Sequence, residues 1–301
     1  MKQNSYIAPF NKFKMKYYRQ IYQQAKDLSQ MDSSTVDDLL WKLICYAPKI
    51  PLRLAQEELL KKATSFQLTV TDTYFTKKQL SFNGFKWGKG SRKILLTHGW
   101  SSKAADFSAV IEELMQLEDV EIIAFDAPGN GSSPAELSNL ILYIDSIKEI
   151  IKQYGKPSIV IGHSLGAMAN AIALQQADIK PDLLISIAPV IKLKALFSNM
   201  MNSVNIPEAI QNDFFTSFQA TFNRPVSDYD LDTYYNYDQN VNHWIAFDGD
   251  DRVVDSTYLY SFLKDRPWIN SVNYKGAGHE KLIKHPPLLH DLIQNYFPIT
   301  L

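Results

Sequence analysis

The stretch that most constrains this chain is Ile159-Val160-Ile161-Gly162-His163-Ser164-Leu165-Gly166, followed by the run Ala167 to Leu174. An apolar segment ends in a G-x-S-x-G pentapeptide and continues into good helix formers. The pattern predicts a short buried strand, a sharp turn and a helix. Gly162 and Gly166 leave room where strand and helix close on one another. Such a turn holds its serine in a strained backbone conformation and lifts the hydroxyl clear of the sheet edge. Behind it, the helix N-terminus aims free N–H groups and a partial positive charge at a developing oxyanion. The pentapeptide alone recurs by chance, and its weight comes from the strand before it and the helix after it.

The surrounding sequence provides a sheet for that turn. Phe66 to Tyr74 and Gln79 to Trp87 read as a hairpin-like pair of strands. Lys93–Thr97, Val120–Phe125, Ser158–Ile161, Leu183–Ile187, Trp244–Phe247 and Val272–Tyr274 are further strands. Helices over Asp106–Leu117, Ser138–Tyr154, Leu165–Ala177, Ser256–Lys264 and Pro287–Tyr296 separate them. Nearly all-apolar strands alternating with helices imply an α/β fold with a mostly parallel sheet buried on both faces. In such a sheet the chemistry belongs at the C-terminal strand ends.

Two segments break the alternation. From Pro189 to Val241, Leu193, Leu196, Phe197, Met200, Met201 and Val204 form one helical stripe. Ile210, Phe214, Phe218 and Phe222 form another, followed by Tyr229, Tyr234, Tyr235 and Tyr237. This reads as a helical lid over 189–241, dividing a core of 64–188 and 242–301. Each apolar residue is expected to pack lid on body, while an aromatic lid above a serine points to a substrate with an apolar moiety. Residues 1–63 read as a helical arm packed on the main domain. Lys12–Lys26 carries Phe13, Tyr17, Gln20 and Ile21 on one side. A second helix, capped by Ser33 or Ser34, buries Leu39, Leu40, Leu43 and Ile44. A short third helix spans Gln56–Ala63.

Ser164 needs a base within reach and an acid to orient that base, because a serine hydroxyl is a poor nucleophile at neutral pH. Of six histidines, His279 follows the last strand in the flexible run Lys275-Gly276-Ala277-Gly278-His279 and is the expected base. The loop Asp248-Gly249-Asp250-Asp251-Arg252-Val253-Val254-Asp255 ends the preceding strand and offers the acid. Asp251 is the first choice and Asp250 the second, with Asp248 shaping the turn and Asp255 capping the next helix. The Ala188-Pro189 strand end carries no carboxylate. Backbone N–H donors to an oxyanion are expected from Leu165 and, in the loop His98-Gly99-Trp100, from Trp100. The His98 ring is expected to pack beneath that loop.

These residues together resemble the α/β-hydrolase superfamily. The likeness rests on His98-Gly99-Trp100, the turn Asp126-Ala127-Pro128-Gly129-Asn130-Gly131-Ser132, the pentapeptide around Ser164, the Asp250 to Val254 loop and Gly276-Ala277-Gly278-His279. It spans roughly residues 66–300 and follows the family's order. The resemblance implies a Ser164–Asp251–His279 triad, no cofactor and a lid after the sixth strand. The core looks like single-domain, lid-bearing esterases and lipases. It lacks an HGGG run, unlike the hormone-sensitive-lipase branch. The expected activity is that of a serine esterase cleaving a small-molecule carboxylic ester through an acyl-enzyme. Thioester, lactone or amide hydrolysis, acyl transfer, or a non-catalytic ligand-binding homologue would read the same way.

Composition narrows the partners. With 31 basic and 32 acidic residues the net charge is −1, so neither nucleic acid nor an anionic membrane is the expected partner. Cys45 stands alone, which rules out an intrachain disulfide and fits a reducing, cytoplasmic setting. No run of about 18 apolar residues predicts a transmembrane helix, and the basic, aromatic first residues carry no secretory h-region. The absence of H-E-x-x-H, a Cys/His cluster or a P-loop gives no reason to expect a metal or phosphate site.

Overall fold

A computed structural model describes residues 8–28, 31–238 and 240–297. Met1 to Ile7 and the side chain of Phe13 lie outside the described residues. Three helices lead the chain: α1 (Ala8–Ala25), α2 (Ser33–Cys45) and α3 (Leu54–Lys61). A hairpin of β1 (Thr64–Thr71) and β2 (Gln79–Gly88) follows, then β3 (Arg92–Thr97), α4 (Ser108–Leu114) and β4 (Val120–Asp126). Next come α5 (Leu140–Tyr154), β5 (Ile159–His163), α6 (Leu165–Gln176) and β6 (Leu183–Ile187). An insertion contains α7 (Leu193–Asn202), α8 (Glu208–Phe222) and α9 (Leu231–Tyr234). β7 (Asn242–Phe247), α10 (Ser256–Lys264), β8 (Asn270–Asn273) and α11 (Pro286–Tyr296) complete the chain.

The eight strands form one sheet in the order β1-β2-β4-β3-β5-β6-β7-β8. β1 pairs with β2, and β2 with β4, antiparallel; every later pairing is parallel. The apolar runs are explained by burial on both faces. Along β4, Ile123 and Phe125 join the cluster on one face, and Ile122 and Ala124 join the cluster on the other. α4 and α11 cover the second face through Val110, Ile111, Leu288 and Leu292.

Local chemistry moves several element ends from their expected places. Asp32, rather than Ser33 or Ser34, caps α2: its Oδ1 accepts from the Thr35 N–H at 2.9 Å and from the Ser34 hydroxyl at 2.7 Å. The serines fall inside the first turn. Asn139 caps α5 by accepting from the Leu142 N–H at 3.0 Å, so that helix opens after Ser138. The segment before α4 is a tighter 3₁₀ turn, Ala104–Phe107. Among the described side chains of α1, Ile21 and Ala25 are buried, while Gln20 faces solvent. β8 is exposed along its whole length because it is the sheet's edge.

α1, α2 and the insertion pack together over the first face of the sheet, while Leu59 of α3 joins the second. Trp41 of α2 lies among Phe214, Phe218 and Phe222 of α8, with ring centroids at 4.8, 5.9 and 5.8 Å. Its Nε1–H donates to the Ser217 hydroxyl at 3.3 Å, and that hydroxyl donates to Asp37 Oδ2 at 2.8 Å. The end of α2 is also stitched to the approach of α5. The Ser138 N–H donates to the Cys45 carbonyl at 2.8 Å, beside a bridge between Tyr46 and Leu137. Tyr22 of α1 donates to the Ser203 carbonyl at 2.8 Å.

Ser217→Ala leaves the Trp41 indole N–H without its acceptor. The expected loss of stability is about 1–3 kcal/mol, read as a lower urea midpoint with an unchanged slope.

Candidate active site

Ser164 stands at the junction of β5 and α6 with φ 54° and ψ −121°. A non-glycine residue holds such a conformation only where its surroundings over-determine it. Here the Ser164 N–H donates to the Ile187 carbonyl at 2.9 Å, and its own carbonyl accepts from Ala167 and Met168. The two glycines are required by contact. A Cβ on Gly162 would stand 2.5 Å from the Ala167 Cα, and one on Gly166 would stand 2.4 Å from the carbonyl oxygens of both Thr97 and His98. Backbone cannot yield at that range.

The loops after β7 and β8 bring a histidine and a carboxylate to this turn. His279 Nε2 lies 2.9 Å from Ser164 Oγ, and His279 Nδ1 lies 2.6 Å from Asp251 Oδ2. A carboxylate accepts only, so Nδ1 carries the proton and Nε2 is free to accept from the serine. Asp251 is itself held: its Oδ1 accepts from the N–H groups of Val253 at 2.7 Å and Val254 at 3.2 Å. Ser164 and His279 are both buried. Asp250 turns its N–H to Asp248, and Asp255 caps α10 by accepting from the Thr257 N–H.

Asp248 joins the two loops. Its Oδ1 accepts from Asp250 and Gly276 at 3.0 and 3.2 Å, and its Oδ2 from Gly278 at 2.7 Å. Burial works to raise its carboxyl pKa. The three N–H donors, with Lys275 nearby, outweigh burial and lower it.

Three further histidines are buried and serve the scaffold: His98, as expected beneath its loop, and His163 and His243, for which no sequence pattern indicated that role. His163 donates from Nε2 to the His279 carbonyl at 3.0 Å, with the two rings 5.0 Å apart. Burial, and then the neighbouring His279, lower its pKa to about 3. His98 accepts from the Ala127 N–H at Nε2, 3.0 Å, and donates from Nδ1 to the Gly99 carbonyl at 2.7 Å. Tyr143 donates to the same carbonyl. His243 lies between the Ser186 hydroxyl at 2.9 Å and the Tyr235 hydroxyl at 2.7 Å, and burial lowers its pKa to about 3.

The loop His98-Gly99-Trp100 lies against the Ser164 turn, since a Cβ on Gly99 would stand 3.1 Å from the Ser164 Cβ. Among the described residues, no acceptor meets the backbone N–H of Trp100 or of Leu165. Both residues also line an apolar cavity with Trp41, Phe218 and Phe222. No group of three or more His, Cys, Asp or Glu side chains among the described residues could hold a metal ion.

The sequence profile of the α/β hydrolase family matches residues 94–291, which include every residue of this site. The chain belongs to that family. Solved structures share the family fold at low identity. An esterase from Pyrococcus furiosus is 17% identical with a TM-score of 0.56, over 83% of this chain and 97% of its own. Mouse alpha/beta hydrolase domain-containing protein 10 is 17% identical with a TM-score of 0.54, over 76% and 96%. An epoxide hydrolase from Bacillus megaterium is 14% identical with a TM-score of 0.50, over 72% and 96%. At these identities the likeness is one of fold. No curated protein sequence matches the chain. No helix among the described residues is long and apolar enough to cross a membrane.

The buried histidines give the family scaffold a pH dependence. With folded pKa values near 3 and an ordinary value of 6.5, His163 and His243 stay neutral when folded and take up protons on unfolding. Stability is therefore unaffected by them above about pH 6.5 and falls as pH drops from there toward 3. Each histidine removes about 1 kcal/mol per pH unit in that window. Urea midpoints at pH 7, 6 and 5 are expected to decline in step, and His243→Gln is expected to reduce the slope.

Proposed function

We propose that the chain is a serine hydrolase that cleaves carboxylic esters, with Ser164 as nucleophile, His279 as general base and acid, and Asp251 as the group that orients the imidazole. The observation that carries this reading is the unbroken chain from Ser164 Oγ to His279 Nε2 at 2.9 Å and from His279 Nδ1 to Asp251 at 2.6 Å. It ends on a serine whose backbone is strained at the start of a helix.

His279 accepts the Ser164 proton as Oγ attacks the ester carbonyl. The imidazolium formed is stabilised by Asp251, which remains ionised. The N–H groups of Trp100 and Leu165, unengaged among the described residues, receive the oxyanion. His279 then gives its proton to the leaving alcohol, and water, activated by the same ring, releases the acid from the acyl-enzyme. Residues 189–241 act as a lid over the serine, residues 1–63 as a helical arm, and 64–188 with 242–301 as the core. The apolar cavity favours a small-molecule ester with an apolar moiety. The single buried cysteine, Cys45, is compatible with a cytoplasmic setting.

Two variants test the assignment. Ser164→Ala is expected to abolish turnover of p-nitrophenyl butanoate and labelling by a fluorophosphonate probe. Asp251→Asn is expected to keep the fold and lower kcat by about 10⁴-fold, because it reverses the preferred proton position on His279. Undiminished turnover by Ser164→Ala would remove that residue from the chemistry. Parallel rates on thioesters, lactones and amides identify the favoured acyl bond.

A further inference from the structure

We propose that α2, which precedes the residues matched by the family profile, forms a wall of the acyl-binding cavity and sets the chain length the site accepts. The proposal rests on the esterase reading above and adds a specificity determinant to it.

The cavity is built from three parts of the chain. Trp100 and Leu165 come from the core, Phe218 and Phe222 from the insertion, and Trp41 and Ile44 from α2. Trp100 and Leu165 are also the two residues whose backbone N–H groups face the reacting oxygen in the proposed mechanism. An acyl group attached at Ser164 therefore has its carbonyl beside residues that line this cavity, and its hydrocarbon chain has an apolar space next to it.

The lining decides the chemistry of that chain. No Asp, Glu, Lys or Arg is among the described residues that line the cavity. A charged group taken into such a space would lose its hydration without a partner. An uncharged hydrocarbon chain meets no such penalty. Each methylene that enters is expected to raise kcat/KM about fourfold, until the chain meets a wall that does not move.

Trp41 has the properties of such a wall. Its ring stacks on Phe218 at 5.9 Å with the planes 18° apart and meets Phe75 edge-on at 5.3 Å. The Ser217 hydroxyl holds its indole nitrogen, and Asp37, one turn earlier on α2, holds Ser217. The ring is therefore fixed by packing and by direction. Ile44, one turn further along the same helix, lines the cavity with a smaller side chain. It marks where added bulk would shorten the space.

The test uses the full chain and p-nitrophenyl esters from acetate through butanoate, octanoate and dodecanoate to palmitate. The wild type is expected to gain with length and then lose sharply. Ile44→Trp should lower the octanoate-to-acetate ratio of kcat/KM tenfold or more, and Trp41→Leu should move the break to longer esters. Leu54→Ala, on the exposed side of α3, is the control and should leave the ratio unchanged. Identical chain-length profiles in wild type and both α2 variants would overturn the proposal while leaving the esterase reading in place.

A second measurement needs no variant. A fluorophosphonate carrying an octyl chain with a terminal diazirine attaches to Ser164 of the wild-type protein, and irradiation then marks what the chain tip touches. Crosslinks within residues 33–45 are the expected result. Attachment at Ser164 with crosslinks confined to other segments would overturn the role of α2. Failure to attach at Ser164 would instead count against the esterase reading.

Discussion

The close approach of α6 to the carbonyl ends of β3 is the contact on which the site depends. Gly166 lies so near the Thr97 and His98 oxygens that no side chain fits there, and Gly162 meets Ala167 in the same way. That contact fixes the angle at which strand passes into helix, and the angle forces Ser164 to a positive φ. The strain is offset by the backbone hydrogen bond to Ile187 and by the buried apolar sides of β5 and α6. A fold less tightly packed at this point would let the serine relax away from His279.

Around that turn the polar groups divide into those aimed at Ser164 and those that hold the aim. Asp248 takes N–H groups from both the acid-bearing and the histidine-bearing loop, so the two cannot drift apart independently. His163 restrains the backbone of His279 through its carbonyl, and His98 with Tyr143 restrains Gly99. All of these groups are buried. Their hydrogen bonds act in a medium where an unpartnered polar atom is costly, which gives each bond a defined geometry.

Much of this architecture was legible in the sequence because it follows from local periodicity. The apolar strand runs, the pentapeptide and the glycine-rich run before His279 each announce their element without reference to distant residues. Leu183–Ile187 and Ser256–Lys264 coincide with the expected elements. Boundaries shifted where neighbouring residues compete for one role, as Asp32 does with Ser33 and Ser34 for the cap of α2. Long-range contacts were less legible. The stripe Leu39, Leu40, Leu43 and Ile44 accounts for one side of α2, but Trp41 and Cys45 are buried as well, because α2 is covered on more than one side. The scaffold role of His163 depends on a carbonyl 116 residues away, and no spacing pattern encodes such a pairing.

The Trp41–Ser217 bond joins residues 176 apart in the chain. The two segments also meet through the Trp41 ring, which lies against Phe214, Phe218 and Phe222. Closing so large a loop carries an entropic cost that is met only when the sheet has already drawn the two ends together. Loss of either segment would strip one wall from the apolar space that Leu165 lines. That wall would then lie open to water, as an apolar surface of the kind that draws in other apolar groups.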